Sequence, residues 1–203
     1  MFNKAQLTKR ALIVTLIVLL VAILGGVETP SAQAAGFAVN STTDAVDANP
    51  GDGLCETAVI GQCTLRAAVQ EANALSGLDV INVPAGTYTL TISGAGEDAA
   101  ATGDLDLTDS VTISGAGAGV SIIDASGLDR ALHGMSGVTV ELSSLSVRNG
   151  LLSSGGGAGL LVGGTATVTD TEFSNNTANS SADGRGGAAA GQGGPGPAHR
   201  RTQ

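Results

Sequence analysis

The stretch Val138-Thr139-Val140-Glu141-Leu142-Ser143-Ser144-Leu145-Ser146-Val147-Arg148-Asn149-Gly150 holds two short strands, Val138 to Leu142 and Leu145 to Val147, joined by polar residues and closed by glycine. Twenty-six residues later the arrangement returns: Leu142, Leu145 and Val147 recur as Val168, Thr171 and Phe173, and Arg148-Asn149-Gly150 returns in kind as Ser174-Asn175-Asn176. One repeat earlier, Ile113 precedes Leu142 by 29 residues. A unit of 26 to 29 residues built of short strands and glycine corners cannot bury its own inner face, so successive units stack and share a core. The spacing predicts an all-β fold, a solenoid. An antiparallel sandwich uses similar strands, but those need not recur at fixed spacing.

Outward from this repeat the same period of two continues. In Tyr88-Thr89-Leu90-Thr91-Ile92 the large apolar residues share one face and the threonines take the other, the pattern of a half-buried strand. Asp79 to Val83, Asp104 to Leu107, Val111 to Ile113 and Ser121 to Ile123 read likewise. Upstream, Thr64 to Asn73 carries Leu65, Ala68, Val69 and Ala72 at helical spacing, with Thr64 as N-cap and Gly77 after the last turn. In a parallel β-helix such a helix has a role. The first coil otherwise exposes an apolar cross-section and a row of unpaired backbone groups.

Beyond Asp183 the periodicity stops. Residues 184–203 are rich in Gly, Ala and Pro, so they are expected to be disordered, and the solenoid is expected to be cut short at that end. At the other end, residues 1–34 combine Lys4, Lys9 and Arg10, an uncharged stretch from Ala11 to Val27, and Ala32-Gln33-Ala34. This is the order of a secretory signal peptide, cleaved after Ala34. A retained anchor is the alternative, although Ala11 to Gly26 is shorter than the roughly 20 apolar residues a membrane span needs. The expected organisation is signal 1–34, cap 35–78, coils 79–183 and tail 184–203. No membrane span is expected after cleavage.

Export sharpens the composition. Both lysines lie in the leader, leaving six arginines against 17 acidic residues, a net charge of −11. Phosphate backbones are bound by Lys and Arg, so nucleic acid is not an expected partner. Cys55 and Cys63 are an even pair in an exported chain and read as a disulfide, with two free thiols as the alternative.

Val39-Asn40-Ser41-Thr42, Asp47-Ala48-Asn49-Pro50-Gly51-Asp52-Gly53-Leu54-Cys55, Cys63-Thr64-Leu65-Arg66-Ala67-Ala68 with Glu71-Ala72-Asn73, and Pro84-Ala85-Gly86-Thr87-Tyr88 together carry a family likeness. Over Phe37 to about Gly150 the chain resembles the CSLREA-domain family of secreted proteins, within the pectin-lyase-like right-handed parallel β-helices. Thr64 and Ala67 depart from that family's Ser and Glu. The resemblance implies a right-handed parallel β-helix with an N-terminal capping helix, at the start of surface or adhesin-like proteins. It implies a fold more than an activity.

Two acidic groups are candidates for Ca2+. Asp47, Asn49 and Asp52 offer clustered oxygens, but their spacing misses the EF-hand pattern and Asn49-Pro50-Gly51-Asp52-Gly53 is also a turn sequence. Asp104, Asp106 and Asp109 stand at strand spacing, which puts Asp104 and Asp106 on the outer face with Leu105 and Leu107 inward. A solvated acidic face is the plainer reading of that pattern, with a sugar-binding patch or a carboxylate pair for glycoside hydrolysis beside it.

Arg130 and His133 near Asp129 show no shared pocket by spacing, and a groove would need Asp104, Asp106, Asp124 and Arg148 to converge. No residue is assigned a catalytic role. The expected function is a secreted or cell-surface module, structural, adhesive or weakly glycan-binding, with a cell-surface glycan or protein as partner. A polysaccharide lyase or glycoside hydrolase acting on an acidic polysaccharide is the alternative. Phe37, Tyr88 and Phe173 are the only aromatics after the leader, and Tyr88 and Phe173 fall on inward positions, so no ring platform for sugars is expected.

Overall fold

The computed structural model describes residues 34–179 and 189–191. The expected leader, apart from Ala34, the last four residues of the expected coils (180–183) and the expected tail, apart from Ala189–Gly191, lie outside the described residues. The described chain forms β1 (Gly36–Ala38), helix α1 (Leu65–Ala74), β2 (Asp79–Val83), β3 (Gly86–Thr89), β4 (Leu105–Leu107), β5 (Val111–Gly115), β6 (Ser121–Asp124) and β7 (Leu132–Gly134). It continues with β8 (Thr139–Ser143), β9 (Ser146–Arg148), β10 (Leu151–Leu152), β11 (Leu160–Val162), β12 (Thr165–Thr169), β13 (Glu172–Ser174), β14 (Thr177–Ala178) and β15 (Ala189–Gly191).

Strands pair in parallel in three main sheets, β1-β2-β5-β8-β12, β3-β6-β9-β13 and β4-β7-β11-β15, with β10 beside β14. Each revolution of the chain adds one strand to each sheet. The result is a right-handed parallel β-helix of about four turns.

The register follows the sequence repeat. Ile81, Ile113, Leu142 and Val168 form one inward column, and Tyr88, Ile123, Val147 and Phe173 a second. Leu105, Leu132 and Leu160 form the third. Ile81, Ile113, Ile123, Leu105 and Leu132 are fully buried, each contributing about 1.5–3 kcal/mol of apolar transfer. Between sheets the chain turns through left-handed residues that also recur: Ser144 and Asp170, then Asn149 and Asn175. Asn and Asp visit that conformation more readily than other side chains because they hydrogen-bond locally.

Strands β7, β10 and β11 are not foreseen from the sequence, being two or three residues long among glycines and polar residues. The Tyr88–Ile92 strand is also shorter than its pattern. β3 ends at Thr89 because the N–H groups of Thr91 and Ile92 donate to Asp44 Oδ2, at 2.6 and 3.0 Å, instead of to a neighbouring strand.

Helix α1 starts where Thr64 Oγ1 accepts from the Ala67 N–H. Its apolar face packs on the core, yet it is not a half-exposed amphipathic helix: every residue from Leu65 to Ala72 is buried, including Arg66 and Glu71 at 0% exposure. The polar side has work of its own. Arg66 donates to the carbonyls of Ala100, Gly103 and Asp104, and Gln70 to that of Ala100. The Asn73 side chain donates to the Asp106 carbonyl and accepts from the Thr108 N–H. Side-chain amides and a guanidinium thus occupy the edge of β4 that no strand covers, which leaves that edge closed to further pairing.

The disulfide Cys55–Cys63 is present, with Cα atoms 5.1 Å apart. No helix among the described residues is long and apolar enough to cross a membrane.

Candidate functional site

The acids singled out in the sequence separate into distinct environments. In the turn, Asp47 is buried and its two oxygens accept from the N–H groups of Asn49 and Glu56, at 2.8 and 3.0 Å. Asp52 accepts from the Leu54 N–H and from the Asn49 amide. From beneath, the Glu71 carboxylate accepts from the N–H groups of Gly51 and Gly53. The oxygens of Asp47, Asp52 and Glu71 therefore organise the chain's own backbone, as turn residues do.

Asp104 and Asp106 project from the outer side of β4 while Leu105 and Leu107 enter the core, as period two requires. The face they share is not solvated, however. Asp104 is 5% exposed and Asp106 0%, covered by the segment before β4: the Ala100 N–H donates to Asp106 Oδ2 at 3.2 Å. Asp109, by contrast, turns to the N–H of Ser110.

Parallel register brings the next coil alongside. Asp106 pairs with His133 across β4 and β7, and Asp106 Oδ1 lies 3.2 Å from His133 Nδ1. Asp104 Oδ2 lies 3.3 Å from Arg130, whose Nε donates to the Gly157 carbonyl. Burial pushes the Asp104 carboxyl up to about 6, helped by repulsion from Asp106 and Asp129 and opposed by Arg130 and His133. So Arg130 and His133 do share a site with the β4 acids. The signal was in the sequence, because 27 residues separate Asp106 from His133, one coil of the repeat.

One member of this group came from no pattern. Asp98, exposed on the covering segment, offers an oxygen that with one atom each from Asp106 and His133 lies within 4.8 Å of the others. Two carboxylates and an imidazole suit a zinc-like or manganese-like ion better than Ca2+, which prefers oxygen ligands alone. A shallow cleft of about 230 Å³ borders His133, walled by Met135 and Leu161.

Asp124 and Arg148 do not join this group. They sit on β6 and β9, another sheet, where Arg148 Nε donates to Asp124 at 2.8 Å and Asn149 Nδ2 donates to the other oxygen. Burial raises the Asp124 carboxyl, but bonds from Asn149, the Ser126 N–H and Arg148 outweigh it and hold it below the usual range. Asp44 behaves alike under α1: burial raises it, and Arg66 with the N–H groups of Thr91 and Ile92 brings it down on balance. Tyr88 is buried with its hydroxyl donating to the Pro84 carbonyl, and Phe173 packs against the core. No family model, curated protein or solved structure matches the chain.

Proposed function

We propose that this chain is an exported, cell-surface β-helix module of the CSLREA type whose role is structural and adhesive: a sealed first end from which a stack of coils is presented. The observation that carries this reading is the use made of the motif Arg66, Glu71 and Asn73. Each of these polar side chains binds backbone of the cap or of the β4 edge rather than facing a groove. A motif that closes a solenoid end marks a scaffold. The Cys55–Cys63 disulfide is compatible with an oxidising compartment. The loop it closes exposes Val59 and Ile60, at 60% and 90%, apolar contacts available to a surface glycan or protein partner. The test is retention of the full exported chain on intact cells and on a glycan array. Retention without any release of sugar is the expected result, and reproducible cleavage of a polysaccharide would end the scaffold reading.

A second reading has one observation in its favour. Asp104, raised to about 6 beside Arg130 and next to the Asp106–His133 pair, has the protonation behaviour of a general acid. In that reading the chain is a lyase or hydrolase of acidic polysaccharides. Sugar release that disappears in Asp104→Asn and His133→Ala would establish it.

A further inference from the structure

Asp79 opens β2 with a side chain that is 0% exposed, and only half of its carboxylate has a partner. Oδ1 accepts from the Ala35 backbone N–H at 2.7 Å, whereas Oδ2 is buried with no hydrogen-bond donor among the described residues. No Arg or His pairs with it among the described residues. A buried carboxylate oxygen left in this way is costly, because folding removes its water and returns nothing.

Its one donor is a particular residue. Ala35 is held in place, its carbonyl accepting from the Val80 N–H at 2.9 Å and its side chain packed on the core, while Ala34 before it is exposed. Ala32-Gln33-Ala34 is the small-x-small text after which leaders are cut.

We propose that cleavage after Ala34 completes this site: the new α-ammonium of Ala35 becomes the counter-ion of buried Asp79. The proposal rests on the reading of the chain as exported and processed. Hydrolysis of the Ala34–Ala35 amide consumes one water. Its oxygen joins the Ala34 carbonyl carbon as the leader's new carboxylate, and its two protons join the one already on the Ala35 nitrogen. An amide nitrogen donates once, whereas an ammonium donates three times and carries the opposite charge. Both Asp79 oxygens then have donors within reach, and the buried charge has a partner. The leader's removal is thus a step in building the first coil, since β1 is anchored by its own terminus.

The composition supplies a clean probe. Lys4 and Lys9 are the only lysines, so a chain beginning at Ala35 has a single primary amine. The full chain is expressed with its own leader in an export-competent host, recovered outside the cytoplasm, weighed intact, and treated with an amine-reactive ester. A start at Ala35 is expected, with labelling at least about tenfold slower in the folded protein than in urea, because the paired amine stays protonated. Asp79→Asn is expected to restore fast labelling. A second variant keeps Asp79 and inserts Gly-Ser between Ala34 and Ala35, which moves the amine away. It is expected to label at the unfolded rate and to melt at lower temperature, and it serves if Asp79→Asn does not fold. A chain that starts at Ala35 but labels equally fast folded and unfolded overturns the ion pair and leaves export standing. A chain that is not recovered outside the cytoplasm overturns the export reading and the proposal with it, whereas an exported chain of unprocessed mass, or one cut elsewhere, overturns the proposal and leaves export standing.

Discussion

At the scale of single residues, several charged groups of this protein lie inside, and how well each is compensated differs. Arg66 is the extreme case, pairing with Asp44 at 2.6 Å and with three carbonyls. Arg66→Leu fits the space but leaves the Asp44 carboxylate without its cation and the Gly103 and Asp104 carbonyls without their guanidinium donor. It is expected to cost about 3–5 kcal/mol in urea unfolding; a loss below 1 kcal/mol, roughly that of an exposed pair, would contradict the burial. Asp104 has the opposite problem, too little compensation. Its folded-state value of about 6 stands above the ordinary 3.8, so between those values the folded chain holds a proton that the unfolded chain has released. Its contribution to stability is complete below pH 3.8 and is lost as pH rises through about 6. Asp44 and Asp124, both lowered, act the other way: their contribution is present above 3.8 and is lost as pH falls below it. Asp104→Asn is therefore expected to melt higher than the wild type at neutral pH, with the gap closing on acidification; parallel melting curves across that range would refute it. Asp44 was not singled out in the sequence, whereas Asp104 and Asp124 were legible there as acids and Arg66 as part of the family likeness. Their burial was not, because period two assigns a face but does not reveal that another segment covers it.

At the scale of elements, local pattern carried the strands that are long enough to show one. β2 was read to the residue, whereas β7 and β11 exist because parallel neighbours on both sides fix three residues each. Short segments of this kind have no periodicity to read, and only the coil spacing could have located them. Helix α1 was legible through its apolar face and N-cap, but the backbone partners of its polar face were not, because they come from residues about 30 to 38 positions away. The corners are strict. A Cβ on Gly150 would overlap the Ala158 carbonyl oxygen, so Gly150→Ala is expected to lower the melting temperature clearly, whereas Gly137→Ala, with open space around it but a φ of +86, carries only backbone strain. Equal effects would mean that the approach of the 150 and 158 chains is not close. The cap loop depends on its crosslink in a different way. Reducing Cys55–Cys63 is expected to cost about 2.5 kcal/mol through the entropy of the unfolded loop, without altering the β signal in circular dichroism.

At the scale of the whole molecule, the two ends of the stack differ. Interior columns run unbroken from Ile81 to Leu142, but every residue of β12 is exposed and Val168, their continuation, is 42% so. Amide exchange is expected to be slowest in β2, β5 and β8, which are paired on both sides, and fastest in β12 and β13. Uniform protection along the axis would show that the last coil is covered in solution. The fixed spacing made the architecture readable, since repetition is a global property written locally. The difference between the ends was less so, because it depends on which backbone edges find a partner. The cap also orders events in time. Arg66, Gln70 and Asn73 close on carbonyls and an N–H between Ala100 and Thr108, so a chain emerging amino-end first from the ribosome finishes its foundation only after that stretch has emerged. Every later coil then meets a completed template as it arrives, and the stack can assemble one layer at a time without waiting for its far end.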